Sequence, residues 1–318
     1  MEETEKKPAS QAESARAPVR QTAPVRRAEP AGPGGAYASI LAAAVLWGMI
    51  GLWNRNLMAG GFTPTDIVVV RNFGGMLLLS AVFAVRDRSV FRVRREHLKY
   101  FFGTGVVSVL LFTVCYFSCQ RICSLAAASI LLYTAPSFVV VLSAALWHEP
   151  VTRKKVLALA LTLLGCALVC GVFAGDVTVT AGGVLLGLGA GFFYALYSIF
   201  GRYALARYGP MTVTVWTFLF AGPASLVLLR PGRMAAALQS PRQWLLSLGL
   251  VVFSTVAPYI LYTRGLARVE SGRASIMASL EPVAATLVGV LVFGEPLSSA
   301  AAAGILCVLA GVYISSSK

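Results

Sequence analysis

The sequence predicts an all-α integral membrane protein with ten transmembrane helices, arranged as two inverted five-helix repeats. Of its 318 residues, 57% are hydrophobic and only 13% are charged, whereas a soluble domain carries about 25% charged residues. Apolar segments of roughly 20 residues, the length that spans a bilayer, recur along the chain. A pattern from the first half also returns in the second half with constant spacing.

Residues 1–35 differ from the rest of the chain, because they are rich in Ala, Pro, Arg and Glu and nearly devoid of large apolar side chains. Such a segment cannot bury a core, so we expect a disordered cytoplasmic tail. It also lacks the apolar stretch and small-residue cleavage site of a signal peptide. The first apolar segment is therefore expected to remain as a membrane anchor.

Ten apolar segments follow the tail, separated by short linkers that contain Gly, Pro or charged residues. The predicted spans are 36–58, 65–85, 98–119, 124–147, 155–173, 181–203, 211–230, 244–264, 273–294 and 299–316. Each is close to the ~20 residues with which a helix crosses ~30 Å of hydrocarbon. The short alternating strands of a membrane β-barrel are not found in the sequence.

Basic residues indicate the orientation in the membrane. With the N-terminus in the cytoplasm, 21 of the 27 Lys and Arg residues fall on the cytoplasmic side and 4 on the other side. Because short cytoplasmic loops are enriched in Lys and Arg, both termini are predicted to be cytoplasmic. The short loops and compact length favour a multi-pass protein of the bacterial inner membrane. A single chain with both repeats can enclose one pathway, so a functional monomer is expected to suffice.

A motif that ends in Glu-Pro marks the internal repeat. The residues Ala128-Ser129-Ile130, Pro136 and Glu149-Pro150 return 146 positions later as Ala274-Ser275-Ile276, Pro282 and Glu295-Pro296. We therefore assign residues 36–173 to a first five-helix repeat and residues 181–316 to a second. Five is an odd number, so the second repeat must enter the bilayer from the opposite face. Inverted repeats place a binding site near the midplane and permit alternating access.

These residues resemble the drug/metabolite transporter superfamily, specifically its ten-helix EamA-type family. The resemblance covers about residues 38–316, and it rests on Leu46-Trp47-Gly48, Arg71, the 128–150 motif, and its copy with Glu281-Pro282 and Glu295-Pro296. It implies a central cavity lined by the first four helices of each repeat, with helices five and ten at the periphery. It also implies export of amino acids, other metabolites or drugs. Small multidrug relatives carry a carboxylate in their first helix, and helices one and six of this chain have none.

Glu281 is the only carboxylate well inside a predicted helix. Because a charge at the centre of a membrane helix costs about 2.5–3.5 kcal/mol on insertion scales, such a group is expected to face a cavity or a partner. It could contact a cationic group of the substrate or carry a coupling proton, or it could be a structural anchor of helix nine. Arg71, inside helix two, could bind a substrate carboxylate, pair with Glu281 or reach helix carbonyls.

Aromatic side chains along the helices supply rings and polar groups of the kind that line ligand cavities. With Glu281 and Arg71, the candidate substrate-binding residues are Trp47, Tyr116, Tyr133, Tyr194, Tyr197 and Tyr262. Packing between helices is the alternative role for each aromatic residue. Pro136 and Pro282 remove backbone hydrogen bonds at equivalent positions of the two repeats and are candidate hinges.

Other classes of protein are disfavoured. The six cysteines lie in or beside apolar segments without His or carboxylates, which predicts packing and no metal site. The sequence has no phosphate-binding loop, zinc-protease motif or Gly-x-Ser-x-Gly elbow, so we assign no catalytic residue and no cofactor, and predict no enzyme. The net charge of +14 comes largely from Lys and Arg residues in short loops, where they set the orientation in the membrane, so nucleic acid is not expected as a partner. The expected partners are a small-molecule substrate and the lipid bilayer. The alternatives are a membrane enzyme acting on lipid headgroups and a non-transporting scaffold.

Overall fold

The computed structural model describes residues 33–173 and 177–317, and all regular structure in these ranges is helical. Nearly all of the predicted tail, residues 1–35, lies outside them. Ten long helices, α1 to α10, are Gly34–Ala59, Pro64–Arg86, Arg95–Gln120, Leu125–Trp147, Arg153–Val169, Ala181–Leu205, Pro210–Leu228, Pro241–Leu266, Ser271–Phe293 and Ser299–Ser316. Nine are long and apolar enough to cross a membrane, and α5, with 17 residues, has the shortest length that spans a bilayer. The predicted all-α membrane fold is confirmed.

Helix boundaries repeat with the spacing found in the sequence. Both α4 and α9 are broken in the middle. The four half-helices are α4a (Leu125–Leu132), α4b (Ala135–Trp147), α9a (Ser271–Ala278) and α9b (Glu281–Phe293), and each boundary in α9 lies 146 positions after its counterpart in α4. The breaks precede the two candidate hinges, Pro136 and Pro282, because proline is accommodated in the first turn of a helix and not in its interior.

Short π-helical segments also occur at equivalent places. They are Gly103–Leu110 in α3 and Val252–Val256 in α8, so that positions 106–110 match 252–256. A π-helical turn carries an extra residue, changes which side chains face inward, and often occurs at functional sites. Nothing in the sequence predicted these segments.

The Glu-Pro motif marks the end of a helix in each repeat. His148 follows α4b with φ 54° and Gly294 follows α9b with φ 67°, so both adopt the left-handed conformation that closes a helix C-terminus. The backbone amides of Glu149 and Glu295 then bond to carbonyls of the preceding helix at 3.4 and 3.1 Å. The repeated motif is therefore a helix stop that sets the position of each glutamate.

The helices of each repeat pack on those of the other. The first repeat's α1 packs on α8 and α9, and the second repeat's α6 packs on α3 and α4. Equivalent helices α2 and α7 pack together, and α5 and α10 pack mainly against one another. The largest buried cluster lies between the repeats and includes Trp47, Tyr197, Tyr259, Tyr262 and Met277. A cavity in this region is therefore shared by both repeats.

The 86–99 loop identifies one end of the bundle. The Arg94 amide donates to the Tyr208 hydroxyl just past α6 at 3.1 Å, and the Trp216 indole of α7 donates to the Val90 carbonyl at 3.1 Å. The even-numbered helices α2 to α10 finish at this end, which carries most of the loop Lys and Arg residues. We call it the basic end and the other the opposite end.

Candidate functional site

Two adjoining cavities lie between the repeats and share Tyr194. The first is lined by Trp47, Ser108, Phe112, Tyr194, Tyr197, Ser198, Tyr259 and Tyr262. The second is lined by Leu132, Tyr133, Ala135, Pro136, Tyr194, Ser275, Ala278, Ser279 and Glu281. Both cavities are narrow in this conformation, with room for about one water molecule each, so binding of a substrate requires the surrounding helices to move apart.

Aromatic rings wall the first cavity. The ring of Trp47 lies 5.4 Å from the rings of both Tyr259 and Tyr262, and Tyr197 lies 5.2 Å from Tyr259. The hydroxyls of Tyr197 and Tyr262 each bond to a neighbouring hydroxyl at 2.8 Å, which satisfies them in the interior. The wall is therefore apolar, and its rings are held in fixed orientations.

The second cavity lies between the two helix breaks. Tyr133, Ala135 and Pro136 border it at the break in α4, and Ser279 and Glu281 border it at the break in α9. Transporters with inverted repeats commonly form their substrate sites from discontinuous helices near the midplane. Both half-helices α4b and α9b begin at this cavity, so the positive ends of their helix dipoles are close to it.

Glu281 is the first residue of α9b and lines the second cavity. No described residue forms a hydrogen bond or ion pair with its half-buried carboxylate. The free amide groups and the dipole at a helix N-terminus stabilise a negative charge there. Arg71 is near enough to act electrostatically on Glu281 without a direct ion pair, so the carboxylate oxygens are available to a cationic ligand or a proton.

Arg71 lies outside the linings of both cavities. Its Nε lies 3.4 Å from the hydroxyl of Thr255, in the π-helical segment of α8, and so connects α2 to the second repeat. Within the described part of the chain, Arg71 and Glu281 form no direct ion pair. The pairing that the sequence left open is thus not observed.

Tyr116 also lies apart from the cavities. Its hydroxyl is 3.1 Å from that of Ser129, and its ring packs against a small buried cluster that contains Cys119 and Ala128. It thereby joins α3 to α4a. The structure places the other six candidates in the cavity linings: Trp47, Tyr133, Tyr194, Tyr197, Tyr262 and Glu281.

Gly48 explains how Trp47 reaches the interior. Gly48 ends the first part of α1 and packs on the start of α9b. A Cβ at this position would lie 2.5 Å from the Cβ of Ala284 and 2.7 Å from the carbonyl oxygen of Glu281. Because carbon atoms normally pack at about 3.5–4.0 Å, only glycine allows this approach. The Leu46-Trp47-Gly48 motif therefore brings α1 against the break in α9.

Sequence reasoning missed several polar lining residues, which are Ser108, Ser198, Tyr259, Ser275 and Ser279. Ser275 could have been found, because it belongs to the repeated Ala-Ser-Ile motif. Tyr259 directly follows Pro258, a proline inside an apolar segment, which could have pointed to it. Ser108 lies inside a π-helical segment, for which the sequence carried no signal.

Inverted repeats, two broken helices and an interior cavity with an unpaired carboxylate are together the architecture of a membrane transporter. A sequence model of the EamA-like transporter family matches residues 35–171 and again residues 181–317. The chain therefore belongs to the EamA-like transporter family, as the resemblance implied, and it is a membrane transporter.

Similar proteins carry matching names. An uncharacterized transporter of Archaeoglobus fulgidus is 34% identical over 279 residues, which cover 87% of this chain and 94% of the relative. The uncharacterized inner membrane transporter YicL of Salmonella typhimurium is 24% identical, with 87% and 93% covered. The threonine/homoserine exporter RhtA of Escherichia coli is 31% identical over 119 residues, covering 36% of this chain and 39% of RhtA. A crystal structure that is 20% identical superimposes with a TM-score of 0.74 over 88% of this chain and 96% of its own, which shows the shared fold.

Proposed function

We propose that this membrane transporter exports a small amphipathic metabolite, foremost an amino acid, by alternating access, and that it catalyses no chemical reaction. The main support is the Glu281 carboxylate, which borders a cavity between two helix breaks and forms no hydrogen bond or direct ion pair with any described residue. In this proposal, the ammonium group of the substrate and a proton compete for the carboxylate. Export of the substrate is then driven by entry of a proton.

The second cavity offers complementary groups for a zwitterion. Glu281 attracts the ammonium group, and the N-terminus of α4b, at Ala135, attracts a carboxylate through its helix dipole. The hydroxyls of Tyr133, Ser275 and Ser279 line the same space and can bond to a polar side chain of the substrate. The local similarity to a threonine/homoserine exporter supports an amino acid substrate.

The apolar first cavity complements this polar site. Its rings, which include Trp47, Tyr194 and Tyr259, can contact the apolar part of a substrate whose charged groups lie next to Glu281. Tyr194 borders both cavities, so a substrate bound between the repeats in a more open conformation would contact both linings. This arrangement favours small amphipathic compounds over strongly polar ones.

The proposal also includes orientation and assembly. The basic end faces the cytoplasm of a bacterial cell, because loop Lys and Arg residues concentrate there. A multi-pass location in the inner membrane is supported by the relative YicL, an inner membrane transporter by name. Residues of both repeats of one chain line the cavities, which supports a functional monomer.

The test is transport in proteoliposomes that carry an imposed pH gradient. Radiolabelled threonine and homoserine are followed together with internal pH, for wild type, Glu281→Gln and Glu295→Gln. The control, Glu295, follows the same helix but is exposed and paired with Arg55. Wild type should move substrate with a matching proton flux. Because a hydrogen bond to a charged group contributes about 1.5–3 kcal/mol, Glu281→Gln should lower the rate roughly 10- to 100-fold.

Three results would contradict this function. The first is a correctly folded wild type that moves neither amino acid. The second is substrate movement without any proton flux, which would remove the coupling role of Glu281. The third is a Glu281→Gln variant that transports with the rate and pH dependence of wild type.

A further inference from the structure

A buried cluster of charged side chains lies at the basic end, outside both cavities. Lys155, at the start of α5, has 5% of its side chain exposed, and Glu149, just past α4b, has 6%. The ammonium of Lys155 lies 3.2 Å from a carboxylate oxygen of Glu270 and 3.8 Å from one of Glu149. Because Glu270 immediately precedes α9a, Lys155 connects the end of α4 to the start of α9.

Two arginines extend this cluster to further helices. Arg202 of α6 forms an ion pair with Glu149 and stacks over the ring of Trp147, 4.5 Å from its centroid. Arg273 of α9a lies 3.4 Å from Glu270 and donates to a carbonyl just past α10 at 3.5 Å. We call Glu149, Lys155, Arg202, Glu270 and Arg273 the basic-end cluster. It joins α4, α5, α6, α9 and α10.

The repeat symmetry supplies a comparison at the opposite end. There, Arg55 of α1 lies 2.8 Å from Glu295 and stacks over Phe293 at 4.3 Å, as Arg202 does over its tryptophan. This pair is exposed, at 59% and 54% of the two side chains. The residues equivalent to Lys155 and Glu270 in the other repeat are Ala301 and Ser124, and neither is charged. Among the described residues, the bridge from α5 to α9 therefore has no ionic counterpart at the opposite end.

The half-helices are buried unequally as well. In α9a, at the basic end, seven of the eight residues are buried, whereas two of the eight residues are buried in its counterpart α4a. The basic-end halves α9a and α4b pack along one another, and the mirror-image pair of described half-helices, α4a and α9b, makes no comparable contact. Half-helix α9a is thus enclosed by other helices at the basic end, whereas α4a is more exposed at the opposite end.

We propose that the basic-end cluster is an ionic lock that holds the basic end of the transport pathway closed, with Lys155 and Glu270 as the link across the gate. The inference rests on the alternating access proposed above. Removing one partner of a buried ion pair is strongly unfavourable, because the other charge stays buried without compensation. Opening the basic end must therefore exchange these pairs for water. Since only one end carries the lock, the two repeats are not equivalent, and the conformation closed at the basic end is favoured.

The experiment measures access to the cavity from the basic end and needs no substrate. In a cysteine-free background, Ser275→Cys serves as the reporter, because Ser275 lines the second cavity on α9a and is 4% exposed. The exposed Arg92→Cys, in the 86–99 loop, serves separately to determine which side of the proteoliposome carries the basic end. A membrane-impermeant maleimide is added to that side, and the labelling rate is measured.

The reporter is combined with Lys155→Met, Glu270→Gln or Glu295→Gln. Lys155→Met and Glu270→Gln should each speed labelling from the basic end at least about tenfold, which is a shift of 1.4 kcal/mol in the opening equilibrium. Glu295→Gln, which breaks the exposed pair at the opposite end, should leave the rate within twofold of wild type. Size-exclusion profiles identify folded variants, and Glu270→Gln tests the lock even where Lys155→Met fails to fold.

The lock is overturned if folded Glu270→Gln labels within twofold of wild type, or if Glu295→Gln accelerates labelling as strongly. Loss of transport with accelerated labelling supports the lock. If wild type transports no amino acid but Lys155→Met and Glu270→Gln still speed labelling, the proposed substrate fails while the ionic lock stands. The two proposals can therefore fail separately.

Discussion

Replacing Gly48 by alanine should separate α1 from α9 and stop transport. The new Cβ would meet the Cβ of Ala284 at 2.5 Å, the carbonyl oxygen of Glu281 at 2.7 Å and the amide of Ala285 at 2.8 Å. Two of these three atoms belong to the backbone, so no rotation of a side chain can relieve the contact. Restoring a separation of about 3.5 Å requires the helices to move apart by roughly 1 Å. Overpacking of this kind costs about 1–3 kcal/mol of stability.

The matched control is Gly51→Ala, on the same transmembrane helix. A Cβ at Gly51 would meet nothing within 4 Å, so alanine there should be neutral or stabilise the helix by up to about 1 kcal/mol. Thermal unfolding in detergent and transport in proteoliposomes are measured for both variants. Gly48→Ala should unfold at a lower temperature and lose most transport, because Trp47 and Glu281 change their relative positions. The reasoning is refuted if Gly48→Ala behaves as wild type, or if Gly51→Ala is equally damaging.

Three further predictions follow from the same contacts. The double variant Arg71→Glu, Glu281→Arg exchanges the two charges and should transport no better than either single variant, because the described contacts include no ion pair between them. Transport recovered in the double variant would show that they pair. Tyr262→Phe leaves the buried hydroxyl of Ser198 without its hydrogen-bond partner, so denaturant unfolding should show an unfolding free energy lower by about 1–3 kcal/mol. An unchanged unfolding free energy would mean that this bond contributes nothing to stability. His148→Gly should raise stability by about 1 kcal/mol in thermal unfolding, because histidine is strained at φ 54° and the equivalent position of the second repeat is Gly294. A lower stability would contradict that strain.

Much of the fold could be predicted because membrane helices leave strong local signals. A span needs about 20 apolar residues, so hydropathy alone located all ten helices. The repeated prolines also indicated the breaks in α4 and α9, since a proline in a helix interior removes a hydrogen bond. Helix ends were less certain: α3 begins at Arg95, three residues before the predicted span, because a polar first turn extends beyond the apolar stretch.

The π-helical segments could not be predicted, since an extra residue in a helix depends on packing around it and not on a local sequence pattern. For the same reason Ser108 was missed as a lining residue, and Tyr116 was grouped with residues that it does not approach. The partner of Arg71 was also beyond the sequence, because it depends on how the two repeats dock. The basic-end cluster was missed because its members lie on separate loops and helix ends, where each charge alone resembled an ordinary membrane-orientation signal.

Protection of a cavity thiol by substrate would show directly that substrate binds between the two broken helices. In the cysteine-free background, Ser279→Cys places a thiol at the break in α9, beside Glu281 in the cavity lining. Threonine or homoserine should slow its labelling by a small maleimide in detergent, should not slow labelling of Arg92→Cys, and should lose the protection when Glu281→Gln is added. Transport of these amino acids by Ser279→Cys without any protection would contradict a substrate site between the two broken helices.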